Sequence, residues 1–243
     1  MGLVTLLSDF GLADTYVGQM KGAILSVAPE ARMIDLTHAV PPQDVTAGAF
    51  LLWTSVSAFS PGTVHLAVVD PGVGSPRRAI ALRTGKDHYL VGPDNGLLIP
   101  ATERLGGIET AVELVVGSEA SATFHGRDVF APAAARLSTG VPIETLGLAL
   151  HDPVRLEFPK YTVVHVDRYG NLITTITRDE VADADHVVLG ERIIPVKRFY
   201  AEVAPGELLA LFGSAGLLEI SARDASAAQI TRAGRGTPVT LVS

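Results

Sequence analysis

The sequence predicts an α/β protein: an amino-terminal α/β domain with a central, mostly parallel sheet, followed by a smaller all-β carboxyl-terminal domain. Two observations carry this prediction. Through the first 150 residues, β-rich apolar runs alternate with segments whose apolar residues recur at helical spacing. From about Pro142 the helical periodicity fades, and short β-rich runs follow one another. We therefore predict one domain at residues 1–150 and a second at 151–243, divided in the proline-marked connector at 150–159.

In the first domain the alternation begins with a strand at residues 3–8 and a helix at 15–28. Val17, Met20 and Ile24 recur at helical spacing, and Pro29 ends the helix because it lacks the amide hydrogen that the ladder needs. A short turn at 84–87 predicts that its flanking strands form a hairpin. The other predicted strands lie at 32–36, 64–69, 79–83, 88–91 and 111–115, and the other predicted helices at 44–59, 97–105 and 127–139.

The second domain contains six β-rich runs and no clear helical pattern. Short strands in close succession, separated by turn residues, are typical of an all-β domain. The predicted strands lie at 161–166, 172–177, 186–189, 193–196, 208–212 and 217–221.

Composition argues against several classes of function. The 243-residue chain has 47% hydrophobic side chains, enough for a sizeable core, and its formal net charge of −7 argues against nucleic acid as a partner. No run approaches the roughly 18 apolar residues of a membrane span, and the first residues lack the basic start of a signal peptide. We therefore expect a cytoplasmic protein. The chain has no cysteine, which leaves oxygen and nitrogen groups for its chemistry.

Polar side chains collect where the predicted strands end. Asp9 and Asp14 follow the first strand, and Asp70 follows the apolar run at 64–69. A glycine-rich turn separates Asp70 from Arg77 and Arg78. Because ligands of open α/β sheets bind at the carboxyl edge of the strands, we predict a site at this edge. The alternative is an ordinary Asp-Pro-Gly turn with a capping aspartate.

A second polar group stands before the last helix of the first domain. His125, Arg127 and Asp128 interrupt an apolar context, and Gly126 lets the backbone approach a ligand closely. For Asp128, capping of the helix is an equally good explanation.

Two loops of the second domain also carry polar groups. Tyr169 is placed to stack on a flat ring whose edge Asn171 reads by hydrogen bonds, with Asp167 beside them. The loop at 213–216 offers the hydroxyl of Ser214 and backbone amides to a carboxylate. The alternative for each loop is a tight hairpin, since Asn, Gly and Asp are common turn formers.

A metal-dependent hydrolase is a further alternative from the residues alone. Asp9, Asp14, Asp35 and His38 supply ligands of suitable type. No H-x-H, H-E-x-x-H or D-x-D spacing supports such a centre, and His38 is more simply explained as a turn residue. From the residues alone we therefore favour a site without a metal ion.

Six stretches together resemble the S-adenosyl-L-methionine hydroxide adenosyltransferase family, the hydrolase branch of the fluorinase/chlorinase superfamily. The resemblance extends over nearly the whole chain in the family's order, so the joint signal is specific although each stretch is weak. The stretches lie at residues 7–11, 69–75, 92–98, 123–134, 167–172 and 213–216.

The resemblance implies an architecture and a reaction. Members combine an α/β domain with a smaller β domain and form homotrimers, with substrate bound where the first domain of one subunit meets the second domain of its neighbour. The implied reaction is attack of water on the ribose 5′ carbon of S-adenosyl-L-methionine, giving adenosine and L-methionine without metal or redox cofactor.

The resemblance also implies residue roles. Asp70, Arg77 and His125 match the family's trio proposed to activate the water; because Arg78 also follows the turn, the choice of Arg77 rests on its register from Asp70. The positions that match substrate contacts are Asp9 for the ribose hydroxyls, Asp167 and Ser214 for the methionine portion, and Asn171 with Tyr169 for adenine. Glu219 and the backbone near Ala222 are further contact positions.

Two rival functions are weighed. A halide-using 5′-halo-adenosine synthase is disfavoured because such relatives carry a neutral residue at the Asp70 position and a long insertion at 84–87. A carboxylate there would repel halide by on the order of 1 kcal/mol or more. A non-catalytic adenosine-binding module would retain Asp9 and Asn171 but would have no use for an Asp–Arg–His cluster.

Overall fold

The computed structural model describes residues 2–181 and 185–242. The chain forms two compact units, Met1–Leu156 and Glu157–Ser243, whereas the predicted domains divide after residue 150. The predicted fold class is confirmed: the first unit combines a sheet with helices, and the second consists mostly of antiparallel strands. The roles assigned to the two domains stay a prediction.

The first unit is built on a seven-stranded sheet with the order β2-β1-β3-β5-β4-β6-β7. The section β2-β1-β3-β5 is parallel and the section β5-β4-β6-β7 is antiparallel, so the sheet is mixed. The β4–β5 pair is the predicted hairpin. The strands are β1 (Leu3–Ser8), β2 (Arg32–Thr37), β3 (Val64–Val68), β4 (Ala79–Thr84), β5 (Tyr89–Pro93), β6 (Ile108–Leu114) and β7 (Gly147–Ala149).

The helices of the first unit are α1 (Tyr16–Val27), α2 (Val45–Ser55), α3 (Ile99–Arg104) and α4 (Ala131–Ser138). Val17, Met20 and Ile24 are the buried positions of α1, as the helical spacing predicts. The helix predicted from residue 127 begins as a π-helical segment, Gly126–Phe130, before α4. Pro132, which has no amide hydrogen to donate, stands where the α-helical ladder starts. Within the described residues, no helix is long and apolar enough to cross a membrane.

The second unit contains a four-stranded sheet, β12-β13-β9-β8, and a three-stranded sheet, β11-β10-β14. Its core includes Leu172, Ile176, Val187, Leu218 and Ile220. Two short elements were not predicted, β14 and the five-residue helix α5. Elements of three to five residues are too short to show a periodic pattern. The elements are β8 (Val163–Val166), β9 (Leu172–Thr177), β10 (His186–Leu189), β11 (Arg192–Pro195), β12 (Leu208–Phe212), β13 (Leu217–Ala222), α5 (Ala227–Thr231) and β14 (Thr240–Val242).

Candidate active site

The turn after β3 places Asp70 and Arg77 opposite each other. All five residues of β3 are buried, and Asp70 follows two positions later. Gly74 has a φ of +77°, and a Cβ on it would collide with the carbonyl oxygen of Ala122. Only glycine fits this position, because it alone combines a positive φ with close approach of another backbone. The chain therefore reverses within a few residues and returns as β4.

Asp70, Arg77 and His125 form one hydrogen-bonded cluster. Arg77 donates from Nε to Asp70 Oδ1 at 2.9 Å and from Nη2 to Asp70 Oδ2. The same Nη2 also donates to His125 Nδ1 at 3.1 Å. The side chains of Arg77 and Asp70 are only 9% and 5% exposed. Arg77 therefore stands between the carboxylate and the imidazole and holds both by its planar fork.

This hydrogen bond fixes the protonation of His125. A guanidinium only donates, so Nδ1 must accept, and the proton of the neutral ring lies on Nε2. Burial lowers the pKa of His125, and the nearby charge of Arg77 lowers it further, although Asp70 and Asp128 oppose the shift. The imidazole is therefore a neutral N–H donor at pH 7.

Arg77 has different contacts from Arg78, the next residue in the sequence. Its guanidinium lies 5.2 Å from the centroid of the Phe130 ring, and its Nη1 is buried without a hydrogen-bond partner in the described structure. Arg78 points elsewhere and pairs with Asp94 and Asp152. The structure thus brings Arg77, and not Arg78, to Asp70.

Two other polar residues near His125 are engaged with each other. Arg127 donates to both carboxylate oxygens of Asp128 and to Gln19. Asp128 also accepts from the backbone nitrogen of Ser121 at 2.9 Å. The carboxylate of Asp128 is thus engaged with Arg127 and with the loop before the helix, and these contacts are not those of a helix cap.

Asp9 lies on the loop after β1, next to an aromatic cluster. Its Oδ2 accepts from the backbone nitrogen of Gln43 at 2.7 Å. The following residue, Phe10, packs edge-on against Phe124, the neighbour of His125, with ring centroids 5.9 Å apart. Asp9 and the Asp70–Arg77–His125 cluster therefore lie at the same edge of the sheet, as the positions of the strand ends predict.

The residues considered for a metal centre do not form a set of metal ligands in the part of the chain that the structure describes. Lys21 pairs with Asp35 at 2.7 Å, and Asp35 lies 3.2 Å from His38 Nε2. His38 Nδ1 is hydrogen-bonded to Ser8 Oγ at 2.7 Å. Among the residues that the structure describes, no three His, Asp or Glu side chains are grouped to hold a metal ion.

In the second unit, Asp167 organises the loop that carries Asn171. Asp167 Oδ1 accepts from the backbone nitrogens of Tyr169 and Asn171, and Oδ2 accepts from Asn171 Nδ2, each at 2.9 Å. Both carboxylate oxygens are therefore engaged within their own loop. The bond to Nδ2 also fixes the amide orientation, which leaves Asn171 Oδ1 and one N–H free for recognition.

A pocket of about 650 Å³ lies beside this loop, and Tyr169, Asn171 and Ala222 line it. Its wall also includes Tyr200, which the sequence analysis missed because its segment carries no motif. Tyr200 donates its hydroxyl hydrogen to Glu219 Oε1 at 2.5 Å. Burial and this bond raise the pKa of Tyr200 to about 12. Glu219 is thus connected to the pocket through Tyr200.

Ser214 lies on the exposed turn between β12 and β13. The turn is closed by Gly213 N to Leu217 O and Gly216 N to Gly213 O, both at 3.0 Å. Its hairpin geometry matches the structural alternative. A larger cleft of about 740 Å³, whose lining includes Arg178, Lys197 and Phe212, contains none of the predicted site residues.

The chain matches two family models. Residues 4–147 match the SAM hydroxide adenosyltransferase N-terminal domain, and residues 161–240 match the C-terminal domain of the same family. A protein from Salinispora tropica named (R)-S-adenosyl-L-methionine hydrolase is 40% identical over 93% of this chain and 92% of its own length. One of the same name from Thermus thermophilus is 42% identical, with 98% and 99% covered.

Solved structures and more distant relatives extend the comparison. A crystal structure of an uncharacterized conserved protein from Thermotoga maritima superposes with a TM-score of 0.92, at 35% identity, over 98% of this chain and 100% of the other. Relatives named fluorinase are 27–30% identical over about three quarters of the chain.

Proposed function

Because the chain belongs to the SAM hydroxide adenosyltransferase family, we propose that it hydrolyses S-adenosyl-L-methionine to adenosine and L-methionine. The observation that carries the proposal is the buried Asp70–Arg77–His125 cluster at the carboxyl edge of the sheet. Such a cluster serves a reaction at one atom and has no use in a protein that only binds adenosine.

Asp70 is the acceptor for the water proton in this proposal. Arg77 has no lone pair to offer, and the Nδ1 lone pair of His125 already accepts from Arg77. Water attacks C5′ as the C5′–S bond breaks, and the bonding electrons pass to sulfur to give the neutral thioether of methionine. The oxygen becomes strongly acidic as its bond to carbon forms, so a carboxylate suffices as general base.

His125 and Arg77 hold the nucleophile. The Nε2–H of His125 donates to the water oxygen and fixes its position, and Arg77 holds the Asp70 carboxylate in place and keeps it ionised to receive the proton. The sulfonium is a good leaving group without protonation, so no general acid is needed. This division of roles follows from the direction of each hydrogen bond in the cluster.

The remaining residues bind substrate in the proposal. Asp9 holds the ribose diol, because one carboxylate can accept from two adjacent hydroxyls. Asn171 reads the adenine edge beside Tyr169 and Ala222, with Asp167 fixing its amide. Ser214 contacts the methionine portion, Asp167 contributes by orienting its loop, and Glu219 contributes from β13 by holding Tyr200 at the pocket wall.

The proposal extends to assembly and setting. We place the protein in the cytoplasm, as a metal-independent enzyme with no nucleic-acid or membrane partner. We propose a homotrimer with sites between subunits, following the family resemblance. Light scattering checks the assembly: a trimer has three times the 25.5 kDa mass of the chain, and a fully active monomer contradicts the proposal.

One incubation tests the function against both rivals. Pure protein is mixed with S-adenosyl-L-methionine, with and without chelator and with and without chloride or fluoride, and products are identified by mass. We expect adenosine and methionine in every arm. A 5′-halo-adenosine identifies a halogenase, loss of product with chelator identifies a metal enzyme, and adenosine binding without turnover identifies a binding module.

A further inference from the structure

Two consecutive residues outside the proposed mechanism, Asp94 and Asn95, hold the loop that carries Asp70 and Arg77. They follow β5 directly, in a Pro-Asp-Asn-Gly turn. Each is bonded to one end of the loop. Their contacts all lie within the first unit.

Asn95 holds the beginning of the loop. Its Nδ2 donates to the carbonyl oxygen of Val69 at 2.9 Å, and Val69 immediately precedes Asp70. Its Oδ1 accepts from the backbone nitrogen of Leu97 at 3.2 Å. Because both ends of the amide are used, the orientation of the side chain is fixed.

Asp94 holds the end of the loop. Its backbone nitrogen donates to the carbonyl oxygen of Arg78, the residue after Arg77, at 2.9 Å. Its Oδ2 accepts from Arg78 Nε at 2.7 Å and its Oδ1 from the backbone nitrogen of Val154 at 2.8 Å. The side chain of Asp94 is 1% exposed, and its buried charge is matched by the guanidinium of Arg78, which is 26% exposed.

The consequence is geometric. Gly72 and Gly74 add backbone freedom to the loop between Val69 and Arg78, yet this loop must keep a carboxylate and a guanidinium in register with His125. Misplacement of reacting groups by about 1 Å typically costs on the order of 10²-fold in rate. Holding both ends of the loop from one turn removes this freedom.

We propose that Asp94 and Asn95 are positioning residues. They support the rate of hydrolysis by holding Asp70 and Arg77 in place, and they do not contribute to substrate affinity. The kinetic part of this inference rests on the proposed function. The structural part, that the two residues keep Arg77 on His125, stands independently of it.

The kinetic test uses Asp94→Asn and Asn95→Asp, which keep side-chain size, with Asp87→Asn as matched control. Asp87 pairs with Arg83 at the opposite, exposed end of the same hairpin. We expect kcat to fall about 10–100-fold in both variants while the adenosine Kd stays within twofold, and the control to match wild type. In a protein that already carries Asp70→Asn, each substitution should lower kcat by less than a further twofold.

Three kinetic results overturn the inference: kcat within twofold of wild type, an equal loss of rate and adenosine affinity, or a full additional loss in the Asp70→Asn background. If Asp94→Asn melts below the assay temperature, Arg78→Lys replaces it, because lysine keeps the charge but lacks the fixed fork that bonds Asp94 through Nε and Asp152 through Nη1. If Asn95→Asp does so, Asn95→Ala replaces it, because alanine removes both amide bonds without adding a charge. Either replacement must show the same separation of kcat from affinity.

A nitrogen-15 NMR spectrum of the histidine rings reports the structural part without turnover. In the wild type, His125 Nδ1 should show the shift of an acceptor and Nε2 that of a protonated nitrogen. Both variants should change these shifts, whereas Asp87→Asn should not. Unchanged shifts overturn the positioning role. A wild-type protein that makes no adenosine instead contradicts the proposed function alone.

Discussion

At the scale of single residues, the direction of one hydrogen bond is the basis for the roles that we propose in the cluster. His125 accepts from Arg77 at Nδ1, so it cannot also take a proton there without breaking that bond. An arrangement in which histidine is the base and aspartate orients it would require a direct Asp–His bond. Here the guanidinium occupies that place, and for this reason we propose the carboxylate as the base and the imidazole as a donor.

Substitution in the cluster should slow chemistry far more than it weakens binding. We expect Asp70→Asn and His125→Ala to lower the single-turnover rate by about 10²–10⁴-fold, the usual contribution of positioned proton transfer. Arg77→Lys should behave similarly, because an ammonium cannot hold both partners in a fixed fork. Single-turnover kinetics beside calorimetric affinity for each variant checks this. Equal losses in rate and affinity, or near-normal rates in all three, would show that the cluster is structural.

Recognition of adenine should depend on the Asn171 amide. Asn171→Ala should weaken adenosine binding by about 1–3 kcal/mol, because the edge of the base is left buried and unpaired. Asp167→Asn should weaken binding in the same direction, since it disrupts the bond that orients the amide. Calorimetric titration with adenosine measures both. An unchanged Kd for Asn171→Ala refutes its role.

At the scale of elements, the ends of helices differ in how they are stabilised. Asp44 caps α2 by accepting from the backbone nitrogen of Ala47 at 2.9 Å. Thr15 occupies the same position before α1 but makes no side-chain capping bond. The two helices therefore provide a matched comparison within one unit.

We expect Asp44→Ala to lower the free energy of unfolding by about 1 kcal/mol, because one backbone N–H loses its partner. Thr15→Ala should cost less than about half of this value, since its hydroxyl caps nothing. Urea unfolding of both variants under one condition makes the comparison. Equal losses of unfolding free energy in the two variants would show that the capping bond of Asp44 contributes nothing to stability.

At the scale of the whole molecule, a buried histidine pair makes the stability of the fold depend on pH. The pair links β1 and β3 to His88, the residue before β5. Thr5 Oγ1 lies 2.8 Å from His65 Nδ1, and His65 Nε2 lies 3.1 Å from His88 Nδ1. Burial, followed by the charge of His88, lowers the pKa of His65 to about 3. Burial also lowers the pKa of His88.

This pair should make the protein less stable in acid. Between about pH 6.5 and 3, His65 stays neutral in the folded chain but is protonated in the unfolded chain, so stability is full above pH 6.5 and is lost as pH falls. The slope reaches at most ~1.4 kcal/mol per pH unit for each such histidine. Unfolding at pH 8 and pH 5 measures it. His65→Gln should reduce the difference between the two pH values; an unchanged difference would contradict the assignment.

The amino-acid sequence by itself determined the elements and their class. Alternating β-rich runs and helical spacing encode local conformation, so strands such as 3–8 and 172–177 are predicted with their observed bounds. The sequence also placed Asp70 at the end of a strand, because a buried run followed by proline and glycine must turn there. Elements of three to five residues, such as β7 and α5, carry too little pattern to be predicted.

Only the tertiary structure decided which side chains meet. Arg77 and Arg78 are adjacent and chemically identical, yet one bonds Asp70 and His125 while the other bonds Asp94 and Asp152. Likewise, the contact between Tyr200 and Glu219 joins residues 19 positions apart. These partners depend on how the chain reverses and which strands pair, and that is set by packing between distant segments, of which local sequence patterns carry no record.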